Sequence, residues 1–212
     1  MYRLYPAGIE TLAAAMVKLS RMRDNVIICD PLCGSGTIAI EAAMLACNIA
    51  SGLNRSFVSE AFPLLDNKVW KNERELARSE IHEPVTRIFG SDIDKNAIEL
   101  ARNNANKAGV GDFVEFSVND VRTFKSPIPD ARGTIVTNPP YGERLGDVDE
   151  ARALYRDIGK AFEDKIPAWQ LYIITSDVQF DRNFGRRCDK KRVLYNGMIK
   201  CNLYQYFKPR KK

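Results

Sequence analysis

One histidine, His82, stands among 212 residues. A single imidazole excludes a His-based catalytic triad anywhere else in the chain. The five cysteines include no Cys-x-x-Cys pair, and Cys29 and Cys33 only flank the end of an apolar run. No zinc site is therefore expected, and the thiols read as reduced, in a cytoplasmic protein. No apolar stretch approaches the length of a membrane span. The opening Met1-Tyr2-Arg3-Leu4-Tyr5-Pro6 lacks the basic-then-apolar pattern of a secretory signal.

What is present suits one globular domain over residues 1–212, long enough to bury a core without staples. The net charge of +5 hides a strong asymmetry. Residues 182–212 carry eleven Lys and Arg against one acid, Asp189, so this segment is +10 and the rest is −5. A basic edge on an acidic body fits a polyanionic partner; the competing reading is a solvated basic tail.

The hydrophobic pattern alternates between two periods. Ile9 to Arg23 and Ile38 to Ile49 read as helices, and Val26 to Asp30 as a buried strand between them. Thr86 to Asp92, Phe113 to Val118, Thr134 to Thr137 and Leu171 to Thr175 read as further strands. Helices are expected from Asp94, a cap, to Lys107, stopped by Gly109, and from Ala151 to Phe162. Lys191 to Tyr195 and Lys200 to Phe207 form a strand pair about Asn196-Gly197. Strands alternating with helices predict an α/β fold, a mostly parallel sheet with helices on both faces. The terminal strand pair predicts an antiparallel strand at one edge. Residues 50–84 are mixed and polar, an insertion with a short helix near Lys68 to Arg78. His82 is expected at its surface, Trp70 packing it onto the body, and Trp169 in the core.

Four segments fall at the ends of the first four strands. Asp30-Pro31-Leu32-Cys33-Gly34-Ser35-Gly36-Thr37 joins a strand to a helix, and Gly34 and Gly36 allow a sharp turn and close approach to a ligand. It lacks the Gly-Lys-Ser/Thr of a P-loop and the third glycine of a dinucleotide fingerprint, so a nucleoside cofactor without pyrophosphate fits better. Asp92, in Ser91-Asp92-Ile93-Asp94, can accept from both ribose hydroxyls, whereas Asp94 suits a helix cap. Asn119-Asp120 closes the third strand; a carboxylate there can accept from an adenine amino group, or simply cap a turn. Asn138-Pro139-Pro140-Tyr141 is the most informative. The Asn138 side-chain oxygen and the Pro139 carbonyl can accept the two N–H bonds of an exocyclic amine, whose lone pair is then released from the ring and aimed at an electrophile. Tyr141 can stack on the base. Catalysis of that kind is positioning and electrostatics and needs no strong base.

These segments resemble the ordered motifs of class I S-adenosylmethionine-dependent methyltransferases. More narrowly, the chain is similar to the catalytic domain of THUMP-associated RNA guanine-N2 methyltransferases. Asn48-Ile-Ala-Ser-Gly-Leu-Asn-Arg55, Tyr141-Gly-Glu-Arg-Leu-Gly146 and Lys191-Arg-Val-Leu-Tyr-Asn-Gly197 add to the likeness, which runs from Thr11 to about Phe207. The resemblance implies a Rossmann-like seven-stranded sheet with the last strand antiparallel. It implies S-adenosyl-L-methionine across Asp30, Cys33, Gly34, Ser35, Gly36, Thr37, Asp92, Ile93, Asn119, Asp120 and Asn138, with Thr11 near the methionine carboxylate. The target base would enter beside Asn138 and Tyr141, flipped out or single-stranded. The expected partner is RNA, ribosomal or transfer, met through the basic C-terminal region. A THUMP module is missing or separate, because the chain leaves no room for one before Thr11. Adenine-N6 methylation of DNA or RNA, methylation of a protein glutamine, and an inactive RNA-binding module are the alternatives.

Overall fold

A computed structural model of the protein describes residues 8–62, 66–141 and 147–207. Gly142 to Gly146 and the basic residues from Lys208 onward lie outside them. Helix α1 (Gly8–Ser20) precedes β1 (Ile27–Asp30), and α2 (Thr37–Ala46) follows it. After α3 (Asn67–Ser79) come β2 (Ile88–Asp92), α4 (Lys95–Lys107), β3 (Val114–Val118), β4 (Gly133–Thr137), α5 (Asp147–Lys165) and β5 (Gln170–Thr175). A short helix α6 (Phe180–Phe184) leads to β6 (Lys190–Asn196) and β7 (Ile199–Tyr206).

The seven strands form one sheet in the order β3-β2-β1-β4-β5-β7-β6. The first five run parallel, so the C-terminal ends of β1, β2, β3 and β4 lie along one edge. Strand β7 is antiparallel to both β5 and β6. The antiparallel strand is thus not the sheet edge, as the strand pair alone suggested. It is wedged between β5 and β6, and β6 takes the edge. Strand order is a non-local property, and a hairpin can attach by either of its arms.

Helices cover both faces. Leu12, Ala13, Met16 and Val17 of α1, the alanines of α2, and Ile98, Ala101 and Ala105 of α4 fill one core with Ile28, Val136 and Leu203. Tyr155, Ile158 and Phe162 of α5 and Phe180 and Phe184 of α6 fill the other with Ile135, Ile173 and Tyr206. Strands β1 and β4 are buried throughout, as central parallel strands must be. Their apolar runs follow from that burial.

Boundaries have local causes. Helix α1 stops at Ser20, earlier than its pattern predicts, because Arg21 takes a φ of 53°. Asp94 caps α4 through Asn96 N at 2.8 Å, and Gly109 ends it at a φ of 75°. The insertion is tied to the end of α2 by the His82 amide, which donates to the Cys47 carbonyl at 3.1 Å. Within it, Trp70 stacks on Phe57 at 5.7 Å and lies under the Arg74 guanidinium. His82 is exposed and Trp169 is buried, its indole N–H donating to the Ala131 carbonyl at 3.0 Å.

Candidate active site

The strand order sets the motifs side by side. Read from β4 to β3, the edge presents Asn138, Asp30 and its Gly-rich turn, Asp92, and then Asn119-Asp120. With strands about 4.8 Å apart, the row spans roughly 14 Å.

The Gly-rich turn is locked in place by its neighbours. The Gly34 amide donates to Asp92 Oδ2 at 2.9 Å, and the Cys33 amide to the Ser91 carbonyl at 2.9 Å. Gly34 turns with a φ of 52° and Gly36 with a φ of 85°. A Cβ on Gly34 would meet open space, whereas one on Gly36 would stand 2.9 Å from Ala101 Cβ. The two glycines therefore differ. Gly34 leaves room on the open side of the turn, while Gly36 lets α2 settle against α4. No side chain caps α2, so amides of its first turn remain available beside Thr37. The Ser35 and Thr37 hydroxyls lie 3.2 Å apart. Burial pushes the Cys33 thiol well above its usual range.

Asp30 is buried beneath the turn. Its Oδ1 accepts from the Thr137 hydroxyl at 2.7 Å and from the Leu32 amide at 3.3 Å. Burial pushes its carboxyl up to about 7; both hydrogen bonds oppose that rise and the charge of Asp92 adds to it. Asp92 uses one acceptor site per oxygen, on Gly34 N and, at 3.0 Å, on Asp94 N. A carboxylate has about four such sites. Two therefore remain for a ligand's hydroxyls, and the exposed Ile93 flanks them. The Asn119 amide donates to the Asp92 carbonyl at 2.9 Å. Asp120 takes the capping role: it accepts from the Arg122 amide at 2.9 Å and pairs with the Arg122 guanidinium at 3.1 Å.

At the end of β4, Asn138 leads into the Pro139-Pro140-Tyr141 turn, and the Tyr141 hydroxyl lies 4.0 Å from Cys201 Sγ. Burial pushes the Tyr141 phenol up, Cys201 and Tyr155 add to this, and Asn138 opposes it. Asn138 Oδ1 is left buried with no hydrogen-bond partner. The Tyr141 ring is partly packed against the core. Pro139 is buried, and the Pro140 carbonyl accepts from the Tyr155 hydroxyl at 2.7 Å. Tyr155 and Thr137 were not legible as site residues. Each lies in an apolar pattern that explains it as core.

A cleft of about 170 Å³ brings Asp30, Cys33, Gly34, Ser35, Thr37 and Asn138 together under Leu12 and Met16 of α1. Thr11 lines a neighbouring cleft of about 540 Å³, which shares Ser35 and Thr37 with the first. Among the described residues no cluster of three His, Cys, Asp or Glu side chains could hold a metal, and no helix is long and apolar enough to cross a membrane.

The sequence profile of the RMKL-like methyltransferase domain family (UPF0020) matches residues 2–205. The chain belongs to that family. Among RMKL-like relatives, it is 42% identical over 210 residues to "Putative RNA methyltransferase YpsC" of Bacillus subtilis, covering 97% of this chain and 54% of that protein. It is 40% identical over 202 residues to the ribosomal RNA large subunit methyltransferase K/L of Psychromonas ingrahamii, covering 93% of this chain and 27% of that protein. The crystal structure of SMU.472, described as a methyltransferase complexed with S-adenosylhomocysteine, superposes with a TM-score of 0.89 at 39% identity, over 100% of this chain and 55% of that one. The chain spans about half the length of YpsC and about a quarter of the K/L enzyme. The family's methyl donor is S-adenosylmethionine. The residues of the edge fit it: two spare acceptor sites on Asp92, free amides at the start of α2, and an orphaned acceptor, Asn138 Oδ1.

Proposed function

We propose that this chain is the catalytic domain of an S-adenosylmethionine-dependent RNA methyltransferase acting on an exocyclic amino group, foremost guanine N2 of ribosomal RNA. The observation that carries this reading is Asn138 Oδ1, a buried acceptor with no partner in a cleft shared with Asp30 and Gly34. A buried acceptor left unpaired costs about 1–3 kcal/mol unless a ligand supplies a donor. An aromatic amine supplies it.

When bound, S-adenosylmethionine supplies an electrophilic methyl group. The chain's own residues do the rest. Asp92 accepts from the ribose hydroxyls and Asp120 faces the adenine side. Asn138 Oδ1 and the Pro139 carbonyl take the two amino hydrogens, so that the nitrogen's lone pair leaves the ring and points at the methyl. The Pro140 carbonyl is occupied by Tyr155 and holds the loop instead. The nitrogen becomes acidic on alkylation and gives its proton to water. The YpsC and K/L relatives support RNA as the substrate, and the basic C-terminal segment supports a polyanion.

The test is transfer of labelled methyl to unmodified ribosomal RNA, transfer RNA, DNA and release factor in parallel, read by nucleoside and peptide mass spectrometry. N2-methylguanosine is expected; label found only in N6-methyladenosine or only in protein sinks the guanine assignment. Asn138→Ala should lower turnover about 100-fold or more, the scale of losing one preorganised hydrogen-bonding group. Donor affinity, measured by calorimetry, should stay within about twofold of wild type on the same reasoning.

A further inference from the structure

We infer that the β6–β7 hairpin is a docking rail for the single-stranded RNA flanking the target nucleotide. In this assignment Tyr195 stacks on a base, and Lys191 and Lys200 meet phosphates. The inference rests on the proposed RNA activity and deepens it.

The hairpin overhangs the active edge. Strand β5 ends at Thr175, which pairs with Asn202, so Ile199 to Cys201 have no β5 partner. At about 3.4 Å per residue the turn projects roughly 10 Å past the last paired position. Cys201 Sγ, 4.0 Å from the Tyr141 hydroxyl, ties the base of this overhang to the Asn138-Pro139-Pro140-Tyr141 turn. The overhang therefore rises on the same sheet edge as Asn138 and Tyr141.

Its two faces differ. Leu194 and Cys201 turn towards the core under α1 and α2. The opposite face carries Lys191, Val193 and Tyr195, paired across the hairpin with Tyr204, Asn202 and Lys200. Tyr195 is 63% exposed and Met198, in the two-residue turn after Gly197, is 99% exposed. Lys191 Nζ lies 5.0 Å from the Tyr204 ring centroid, which holds that cation on this face.

Lysines alone have another use on an edge strand, where they discourage pairing with a second chain. That use does not explain an exposed tyrosine and a fully exposed methionine, which work against it. An aromatic ring interleaved with cations is instead the pattern of a single-stranded nucleic-acid platform, in which stacking tolerates sequence and lysines track the backbone. The two strands carry four cations, Lys190, Lys191, Arg192 and Lys200, and no acid.

The experiment measures binding of a fluorescein-labelled, mixed-sequence single-stranded RNA by anisotropy across a salt series. It uses the wild-type chain, Tyr195→Ser, Met198→Ser and the double variant Lys191→Gln/Lys200→Gln. Thermal melts and S-adenosylhomocysteine titrations confirm that each variant is folded and binds cofactor. Tyr195→Ser should weaken RNA binding about tenfold, the scale of one lost base stack. The lysine pair should flatten the log–log salt slope by about 1.4, at roughly 0.7 per phosphate contact. Unchanged affinity and slope in both, in a wild type that binds and methylates RNA, overturns the rail. A wild type that methylates only DNA or protein overturns the underlying reading instead.

Discussion

Asn138 keeps its Oδ1 buried without a hydrogen-bond partner at the end of β4. The motif made Asn138 legible as an acceptor. The approach of the Tyr141 hydroxyl to Cys201 was not legible, because it depends on a distant strand. Asp30 carries a pH-dependent prediction. Its folded carboxyl titrates at about 7, against about 3.9 in an unfolded chain. Between those values the native state holds more protons than the unfolded one, so stability falls as pH rises from about 4 to 7 and levels off above. The contribution is fully present below the lower value. Asp30→Asn keeps an oxygen for the Thr137 hydroxyl and removes the charge. Urea midpoints at pH 5 and 8 should therefore drop for the wild type and stay flatter for the variant. A wild type that gains on the variant as pH rises across that window shows that burial does not govern Asp30.

At the scale of elements, nearly every strand was legible, because central parallel strands must be apolar throughout and the four site segments end them. Helix α6 was not foreseen. Five residues are too few for a period to show, and its reason is tertiary: Phe180 and Phe184 stack at 5.1 Å and pack against Tyr204 and Tyr206. Helix α5 was foreseen only as a helix from Ala151 to Phe162, yet it straps the Pro139-Pro140 turn. Thr175 Oγ1 lies 3.1 Å from Tyr155 Oη, which in turn donates to the Pro140 carbonyl at 2.7 Å. Thr175 also accepts from the Asp177 amide at 3.1 Å. This chain connects β5, α5 and the Pro-Pro turn without touching the donor cleft. Tyr155→Phe removes one oxygen, leaving the Pro140 carbonyl without its donor and the Thr175 hydroxyl with only the Asp177 amide. The cost should be about 1–3 kcal/mol, or a melting temperature lower by roughly 2–4 °C per kcal/mol. Turnover should fall about tenfold, the rate cost of a loosened reacting geometry, with donor affinity and RNA KM unchanged. A stability loss with turnover intact would make Tyr155 a packing residue only.

Over the whole molecule, charge and chemistry are arranged on different parts of one sheet. The acids Asp30, Asp92 and Asp120 lie at or just past the ends of strands β1 to β3, on the far side of the sheet from β6 and β7. The cations Lys190, Lys191, Arg192 and Lys200 lie on those last two strands, with Asn138 and Tyr141 between the two groups. Composition showed the −5 body and +10 segment, but not that strand order would set these acids and cations at opposite ends with Asn138 and Tyr141 between. That separation predicts two different responses to salt. Donor binding relies on directed hydrogen bonds and should vary little from 50 to 300 mM KCl. RNA binding displaces counterions; with about four phosphate contacts, the log of kcat/KM for RNA should fall against log salt with a slope of about −3. Single-turnover assays over the salt series, with calorimetric donor titrations alongside, read both quantities from one preparation. Equal slopes for donor and RNA would mean that the charges are not divided in function as they are in space. A flat RNA response would leave the basic strands no part in holding the substrate.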